Sequence, residues 1–169
     1  MVRIEVDEEI VLRLLTARDA KRLFTLTDES RDYLKKWLPW VELIRSEEDS
    51  LRFIKQALQD YLDFEKIIFG IIYHGELVGV IGFNRLDTTN KIASIGYWLA
   101  EKYSGQGIMT RSVAAFISYG FSDLLLHKIE IRVATENKQS RAVPERLDFV
   151  QEGIIRAAEK LNHTYVDHV

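Results

Sequence analysis

The sequence contains no cysteine. That absence excludes disulfide bonds, thiolate metal ligands and a covalent cysteine nucleophile, and it is typical of proteins from a reducing compartment. Prolines are also scarce: Pro39 and Pro144 are the two present, and neither lies in a proline-, glycine- or serine-rich linker. A chain of 169 residues without a linker predicts a single domain, residues 1–169, because two domains would each have too small a core.

Long apolar runs and an excess of basic residues are missing as well. The richest apolar stretch, residues 67–73, has the length of a strand, whereas a membrane-spanning helix needs about 20 apolar residues. Lys and Arg together number 23 against 26 Asp and Glu, a formal net charge of -3, and nonspecific binding of nucleic acid requires a basic surface. The first residues lack the apolar core of a signal peptide. We therefore expect a cytoplasmic protein that binds neither a membrane nor nucleic acid directly.

The first third of the chain has the spacing of helices. Thr16 and Ser46 are each followed three residues later by an aspartate, Asp19 and Asp49, which is a variant of the capping box that begins a helix. After Ser46, apolar residues recur every three or four positions with charged residues between them. We therefore predict two helices here, of which the second is the longer.

The rest of the chain has the pattern of a sheet. Runs of β-branched and aromatic residues separated by short turns predict an antiparallel meander, over residues 67–73, 77–83 and 92–99. A helix after Gly107, followed by an alternating run at residues 128–133, predicts a right-handed parallel crossover. The fold class is therefore α+β (mixed α/β), with a mixed, mostly antiparallel sheet. Residues 164–169 still alternate at the last position, so we expect the last strand to be truncated.

A glycine-containing loop joins the third of these strands to the next helix. Gly105 and Gly107 would let the backbone take positive φ, and the helix N-terminus would offer N–H groups and partial positive charge to a phosphate. A dinucleotide-binding loop would need a third glycine where Thr110 stands, and a Walker loop would need Gly-Lys-Ser/Thr. The alternatives are a plain strand-to-helix turn and a site for another nucleotide such as NAD or ATP.

Four segments, taken together, resemble a known family. They are Gly96–Leu99, Gly105–Thr110, Ile129–Arg132 and Asn137–Leu147. In this order and spacing the chain resembles the GNAT superfamily of acetyl-CoA-dependent N-acetyltransferases, in the branch similar to ribosomal-protein N-terminal acetyltransferases. The resemblance covers essentially the whole chain. It implies a twisted, mostly antiparallel sheet with a central parallel β-α-β crossover and flanking helices, and acetyl-CoA as cosubstrate.

The resemblance also implies which residues bind the cofactor. Those that would hold the pyrophosphate are Ser104, Gly105, Gln106, Gly107, Ile108, Met109 and Thr110. Trp98, Leu99 and Ala100 would lie where the two parallel strands diverge, with their main chain bonded to the pantetheine arm and the acetyl oxygen. Asn137 would bind the pantetheine, and Ser140 would lie near the thiol sulfur.

The catalytic assignments depend partly on departures from the family pattern. Many GNAT enzymes have a tyrosine acid where this chain has Pro144, which leaves the acid role to Ser140. Glu159 stands where related N-terminal acetyltransferases place a base candidate. The alternative for Glu159 is a strand-edge carboxylate paired with Arg156.

Elementary acid–base chemistry limits the acceptor. An α-amino group ordinarily has a pKa of about 7.7–8.0 and a lysine amine one of about 10.4, so an N-terminal acceptor needs a weaker base. A carboxylate acting through water, with Glu159 as the candidate, would suffice. The main-chain N–H near Leu99 would stabilise the oxyanion. Without a cysteine, direct transfer is simpler than a covalent acyl-enzyme.

Two further groups of residues have alternative interpretations. Trp37 and Trp40 flank a proline and are either a lid over the acceptor or core aromatics. His163 and His168, near Asp167, could suggest a metal pair, but no third and fourth ligand is evident, and we expect no metal.

The predicted function is therefore direct acetyl transfer from acetyl-CoA to an amine, namely the N-terminal α-amino group of a protein such as a ribosomal protein. The alternatives are a small-molecule amine, for example a polyamine or an aminoglycoside, and a non-catalytic CoA-binding protein. By family resemblance we also expect a homodimer or a higher homo-oligomer.

Overall fold

The computed structural model describes residues 2–169. Its strands are β1 (Arg3–Glu5), β2 (Ile10–Leu14), β3 (Ile67–Tyr73), β4 (Glu76–Asp87), β5 (Ile92–Leu99), β6 (Lys128–Ile131), β7 (Ile155–Leu161) and β8 (Thr164–His168). Its α-helices are α1 (Ala20–Glu29), α2 (Arg31–Leu34), α3 (Glu47–Leu62), α4 (Ile108–Ser122) and α5 (Lys138–Arg146). None of the helices in the described part of the chain has both the length and the apolar character to cross a bilayer.

Six strands form one sheet, in the order β1-β2-β3-β4-β5-β6. The pairs from β1 to β5 are antiparallel, and β5 and β6 are parallel neighbours joined through α4. This confirms the predicted mixed, mostly antiparallel sheet with a parallel crossover. β7 and β8 form a separate antiparallel hairpin.

The hairpin meets the chain just after β6. Val169 exchanges two backbone hydrogen bonds with Val133, at 2.8 and 3.1 Å, and His168 bridges Ala134. The strand predicted over residues 128–133 therefore ends at Ile131, because Val133 and Ala134 pair with the end of the hairpin instead of with β5. Truncation of the last strand stays a prediction.

Both predicted helix N-termini are present. The backbone N–H of Ser46 donates to Asp49 Oδ2 at 3.0 Å, and Asp49 N–H donates to Ser46 Oγ at 3.3 Å, which completes a capping box at the start of α3. At Thr16 the N–H donates to Asp19 Oδ2 at 2.7 Å, but the first turn is a 3₁₀ turn and α1 begins at Ala20.

Hydrophobic clusters cover both faces of the sheet. Consecutive residues of β3 point to opposite faces, so Phe69 joins the cluster under α4 and Ile68 joins the cluster under α1 and α3. Phe116 of α4 stacks on Phe83 with ring centroids 4.4 Å apart. This packing fixes α4 against the sheet, with its N-terminus beside the end of β5.

Candidate active site

The parallel strands β5 and β6 separate partway along β5. Their last paired residues are Ile95 and Ile131, so the remainder of β5 has no parallel neighbour. Ala100 N–H donates to Val78 O, on the β4 side, at 3.0 Å. Because backbone groups alternate in direction along a strand, the N–H of Leu99 points into the gap that β6 leaves. The gap therefore has a main-chain donor aimed into it.

This gap opens into a cleft of about 890 Å³, within the range of small-molecule binding sites. The sequence-predicted site residues that line it are Trp37, Trp40, Trp98, Leu99, Ser104, Gly105, Gly107, Ile108, Met109, Thr110, Asn137, Ser140 and Glu159. Ala100 is buried behind the cleft, bonded to β4. The Gln106 side chain is exposed and donates to Lys102 O at 3.1 Å. The structure thus brings together all of the predicted residues except these two.

The loop before α4 has the backbone of an anion-binding turn. Gly105 has φ of 76° and Gly107 has φ of 72°, in the region where a side chain is strained. Gly107 is the N-cap of α4, so the first N–H groups of the helix are directed toward the cleft and carry its partial positive charge. This arrangement suits a phosphate or pyrophosphate.

The charge of the cleft favours the same ligand. Among residues 2–169, its lining includes Arg111, Arg132 and Arg146 and a single carboxylate, that of Glu159. The Arg111 guanidinium is held at the base of α4 by the carboxylates of Asp7 and Glu9, at 2.7 and 2.8 Å. Arg111 is thus neutralised and Arg132 pairs with Glu130 at 3.3 Å, so the attraction for a ligand with several phosphates rests on Arg146 and on the N-terminus of α4.

Helix α5 forms the second wall and is tied to β5. Tyr97 OH donates to Ser140 O at 2.8 Å, and Ser140 Oγ donates to Tyr97 OH at 3.3 Å. Burial raises the pKa of Tyr97 to about 12, so the phenol stays protonated and is unavailable as a base. Asn137 Oδ1 caps the helix by accepting from Ser140 N–H at 3.3 Å, which leaves the Asn137 amide NH₂ for a ligand.

A tyrosine that the sequence analysis did not select closes one end of the cleft. Tyr33 OH donates to Gln139 Oε1 at 2.7 Å and lies 3.1 Å from Ser104 Oγ. One hydroxyl therefore joins α2, the glycine loop and α5. Tyr33 precedes Trp37 by one helical turn in an aromatic segment, but the sequence gives no sign of partners that are 71 and 106 residues away.

Aromatic side chains form another part of the cleft wall. Trp40 and Trp98 have ring centroids 5.9 Å apart and are tilted by 54°. Both of them, and Trp37, are partly buried and line the cleft. None of the three is a fully buried core residue, and a lid over the acceptor formed by Trp37 and Trp40 stays a prediction.

The hairpin contributes an acid–base pair. Glu159 Oε2 lies 3.0 Å from His168 Nε2, and both side chains line the cleft. Glu159 therefore pairs with His168 and not with Arg156, the partner considered in the alternative interpretation. The β7–β8 turn at residues 162–163 sets Glu159 opposite Val166, so His168, the next residue on that face of β8, could have been found from the hairpin register.

No group of three or more His, Cys, Asp and Glu side chains that could hold a metal ion occurs among residues 2–169. His163 lies exposed in the hairpin turn, away from the Glu159–His168 pair that faces the cleft.

Residues 9–150 match the family model described as an acetyltransferase (GNAT) domain. The ribosomal-protein-serine acetyltransferase of Escherichia coli is 34% identical and covers 97% of this chain, which in turn spans 92% of that protein. The structure of RimL, a ribosomal L7/L12 alpha-N-protein acetyltransferase in complex with coenzyme A, superposes with a TM-score of 0.95 at 29% identity, over 99% of this chain and 94% of that one. The microcin C7 self-immunity acetyltransferase MccE, in complex with acetyl-CoA and AMP, superposes with a TM-score of 0.92 at 32% identity, over 96% and 91% of the two chains.

Proposed function

The chain belongs to the GNAT family and is an acetyl-CoA-dependent N-acetyltransferase, and we propose that the amine it acetylates is the N-terminal α-amino group of a protein such as a ribosomal protein. The gap between β5 and β6, with a Leu99 N–H directed into it, and the Gly105–Gly107 loop support acetyl transfer from acetyl-CoA, and the observation that carries the choice of acceptor is the Glu159–His168 pair on the cleft. The names of two of the similar proteins, which refer to ribosomal-protein acetylation, support this choice of acceptor.

The residues of the cleft fit the cofactor and suggest their roles. Acetyl-CoA supplies an electrophilic thioester carbonyl, and the glycine loop with the N-terminus of α4 would hold its pyrophosphate. The Leu99 N–H would donate to the carbonyl oxygen as negative charge develops there, and loss of such a donor typically costs about 2.7–4 kcal/mol of transition-state stabilisation. Ser140 would donate a hydrogen bond to the departing sulfur after its hydroxyl turns away from Tyr97 OH, to which it donates at 3.3 Å. Since the Tyr97 phenol is already committed to Ser140 O, it is not a free acid.

The acid–base groups favour an α-amine over a lysine. Along the cleft, within residues 2–169, Glu159 supplies the carboxylate and His168 the imidazole that could act as a base. Such groups are basic enough to deprotonate an ordinary α-amine, with a pKa of about 7.7–8.0, but not an ordinary lysine amine, with a pKa of about 10.4. Glu159 would take the proton directly or through a water molecule.

A small-molecule amine is the second candidate acceptor. The tilted, partly exposed faces of Trp40 and Trp98 could stack on a planar group, and MccE, which has a similar structure, was solved with AMP as well as acetyl-CoA. In that case the same transfer would occur on an amine carried by a nucleotide-like or polyamine molecule.

The test is a survey of acceptors. The protein is incubated with acetyl-CoA and a library of peptides with free N-termini, in parallel with polyamines, aminoglycosides and aminoacyl nucleotides, and CoA release and product mass are recorded. Acetylation on the peptide α-amine supports the proposal, and acetylation of small amines alone supports the second candidate. CoA binding by calorimetry without transfer to any amine would contradict both and identify a non-catalytic CoA-binding protein.

We also propose a homodimer or a higher homo-oligomer. Exposed apolar side chains support it, among them Val150, which is 84% exposed, and Leu125. Light scattering that gives the monomer mass at working concentration would contradict it.

A further inference from the structure

We propose that His168 is the group that takes the proton from the acceptor amine, and that Glu159 orients its imidazole. The inference rests on the proposed function only in that the acceptor must be an amine of some kind. It changes the role of Glu159 from a base acting alone to the partner of a histidine.

The hydrogen bond determines which nitrogen is available. An ionised carboxylate has no proton to give, so His168 Nε2 donates its proton to Glu159 Oε2 across 3.0 Å. In the neutral ring, Nδ1 then carries a lone pair and no proton. A carboxylate that fixes the tautomer of an imidazole and leaves the other nitrogen free is the arrangement that makes histidine a general base in hydrolases.

Burial and location suit this role. The side chain of His168 is 18% exposed and that of Glu159 is 34% exposed, and both line the cleft. The backbone bridge from His168 to Ala134 places His168 three residues beyond Ile131, the last residue of β6 paired with β5. The pair is therefore partly shielded from solvent and lines the same cleft as Leu99.

The charged groups near the pair come from several elements. On β8 itself, Asp167 Oδ1 accepts from Ala157 N–H at 2.7 Å and so faces β7. Arg132, after β6, has Glu130 as its ion partner, and Arg146 projects from α5 into the cleft. Glu159 is therefore the carboxylate that faces the imidazole, whereas the carboxylates of Asp167 and Glu130 have other partners.

Proton bookkeeping favours the imidazole over the carboxylate. An ordinary α-ammonium group has a pKa of about 7.7–8.0, which exceeds the pKa of an ordinary imidazole by little more than one and that of an ordinary glutamate by more than three. Proton transfer to the imidazole is therefore the less unfavourable of the two. In the proposed step one N–H bond of the ammonium breaks and an Nδ1–H bond forms on His168. The neutral amine then attacks the thioester carbon, its surplus proton passes to the departing sulfur, and the imidazolium returns its proton to solvent.

Matched variants separate the two roles. His168→Gln keeps an amide N–H that can donate to Glu159 but has no basic nitrogen, and Glu159→Gln keeps an acceptor for His168 but has no charge. His163→Gln, in the exposed turn of the same hairpin, is the control. Thermal melting establishes that each variant is folded, and calorimetry establishes that it binds CoA.

The measurement is kcat against pH with whichever amine the wild-type protein accepts. We expect His168→Gln to lose about 100-fold or more near pH 7, a loss that shrinks above pH 8 because the α-amine then deprotonates unaided. Glu159→Gln should retain more activity than His168→Gln, and His163→Gln should match the wild type. Added imidazole should restore activity to His168→Ala, which a purely structural role would not allow.

Two results separate this inference from the proposed function. A wild-type protein that acetylates no amine would refute the proposed function before the variants are compared. A wild-type protein that turns over, with His168→Gln within twofold of it at every pH and Glu159→Gln inactive, would overturn the role of His168 and leave Glu159 as the base.

Discussion

Tyr33 and Gln139, which lie 106 residues apart in the sequence, are joined by a hydrogen bond of 2.7 Å from the phenol to the side-chain amide oxygen. The same hydroxyl lies 3.1 Å from Ser104 Oγ in the loop before α4. Because these contacts connect α2, the loop and α5 across one end of the cleft, we expect Tyr33 to hold that end closed over a bound cofactor.

Tyr33→Phe should therefore weaken the retention of CoA without changing the fold. Each lost hydrogen bond is worth about 0.5–1.5 kcal/mol net, so for each bond we expect CoA to bind about two- to thirteenfold less tightly, mainly through faster dissociation. Calorimetry and stopped-flow displacement measure the two quantities. Tyr165→Phe, on an exposed tyrosine of β8, is the matched control, and equal CoA dissociation rates in both variants would contradict a closing role for Tyr33.

Local patterns in the sequence were sufficient to predict much of this fold. The strands at residues 67–73 and 92–99 and the capping box at Ser46 are where the pattern predicts them, because hydrophobic alternation and caps are encoded by neighbouring residues. Tyr33 and the Tyr97–Ser140 contact could not be predicted, because their partners come from remote segments whose positions only the packed fold determines.

The Glu159–His168 pair is an intermediate case. Family resemblance indicated Glu159 as a base, whereas His168 was considered only as one of two histidines, with His163, that lack the further ligands of a metal site. Their contact follows from the register of one hairpin, which the turn at residues 162–163 sets, so it was accessible to sequence reasoning.

Gly107→Ala should impair CoA binding through the backbone alone. No atom lies within 4 Å of a Cβ built at Gly107, but its φ is 72°, and a non-glycine residue held there costs about 1–2 kcal/mol. Relief of that strain would turn the first N–H groups of α4 away from the cleft, so we expect roughly tenfold weaker CoA binding by calorimetry. Gly153→Ala is the control, since Gly153 has equal space and no positive φ. Equal CoA affinity in the two variants would show that the loop backbone is not needed in this conformation.

Asp19→Asn should destabilise the protein near neutral pH and much less in acid. Arg13 holds Asp19 with two hydrogen bonds, at 2.8 and 2.9 Å. Burial alone would raise the pKa of Asp19, but these bonds and the one from Thr16 N–H outweigh it and hold the pKa below its usual range. Since the folded pKa lies below the unfolded one, ionised Asp19 stabilises the fold above about pH 4, and this stabilisation is lost as the pH falls through the folded pKa.

We expect Asp19→Asn to lower the free energy of unfolding by about 1–3 kcal/mol at pH 7, because the partly buried Arg13 is left without its charged partner. Urea denaturation at pH 7 and at successively lower pH measures the free energy of unfolding of the variant and of the wild type. The difference between the two should become smaller below pH 4. Asp32→Asn, at an exposed pair with Lys35, is the control and should leave stability unchanged. A difference between Asp19→Asn and the wild type that is constant with pH would mean that the Asp19 charge contributes nothing.

Tyr97→Phe tests whether β5 acts on catalysis through Ser140. The variant removes the donor to Ser140 O and the acceptor of the Ser140 hydroxyl proton, so we expect kcat to fall several-fold while CoA affinity is nearly unchanged. If Tyr97 only positions Ser140, then Tyr97→Phe should cost no further activity once Ser140→Ala is present. Fully additive losses in that double-mutant cycle would contradict the positioning role and indicate that each hydroxyl acts by itself.

Tyr97→Phe should also change how the free energy of unfolding depends on pH in alkaline solution. Burial raises the pKa of Tyr97 to about 12, above the ordinary value of about 10, so its neutral phenol stabilises the fold fully below pH 10, and this contribution is lost as the pH rises toward 12. The free energy of unfolding of the wild type should therefore fall between pH 10 and 12, and that of Tyr97→Phe should fall less steeply. Some slope should remain, because burial also raises the pKa of Tyr119 to about 12. Identical slopes in urea denaturation across this interval would show that the Tyr97 hydroxyl does not lose its proton on unfolding, contrary to its burial against α5.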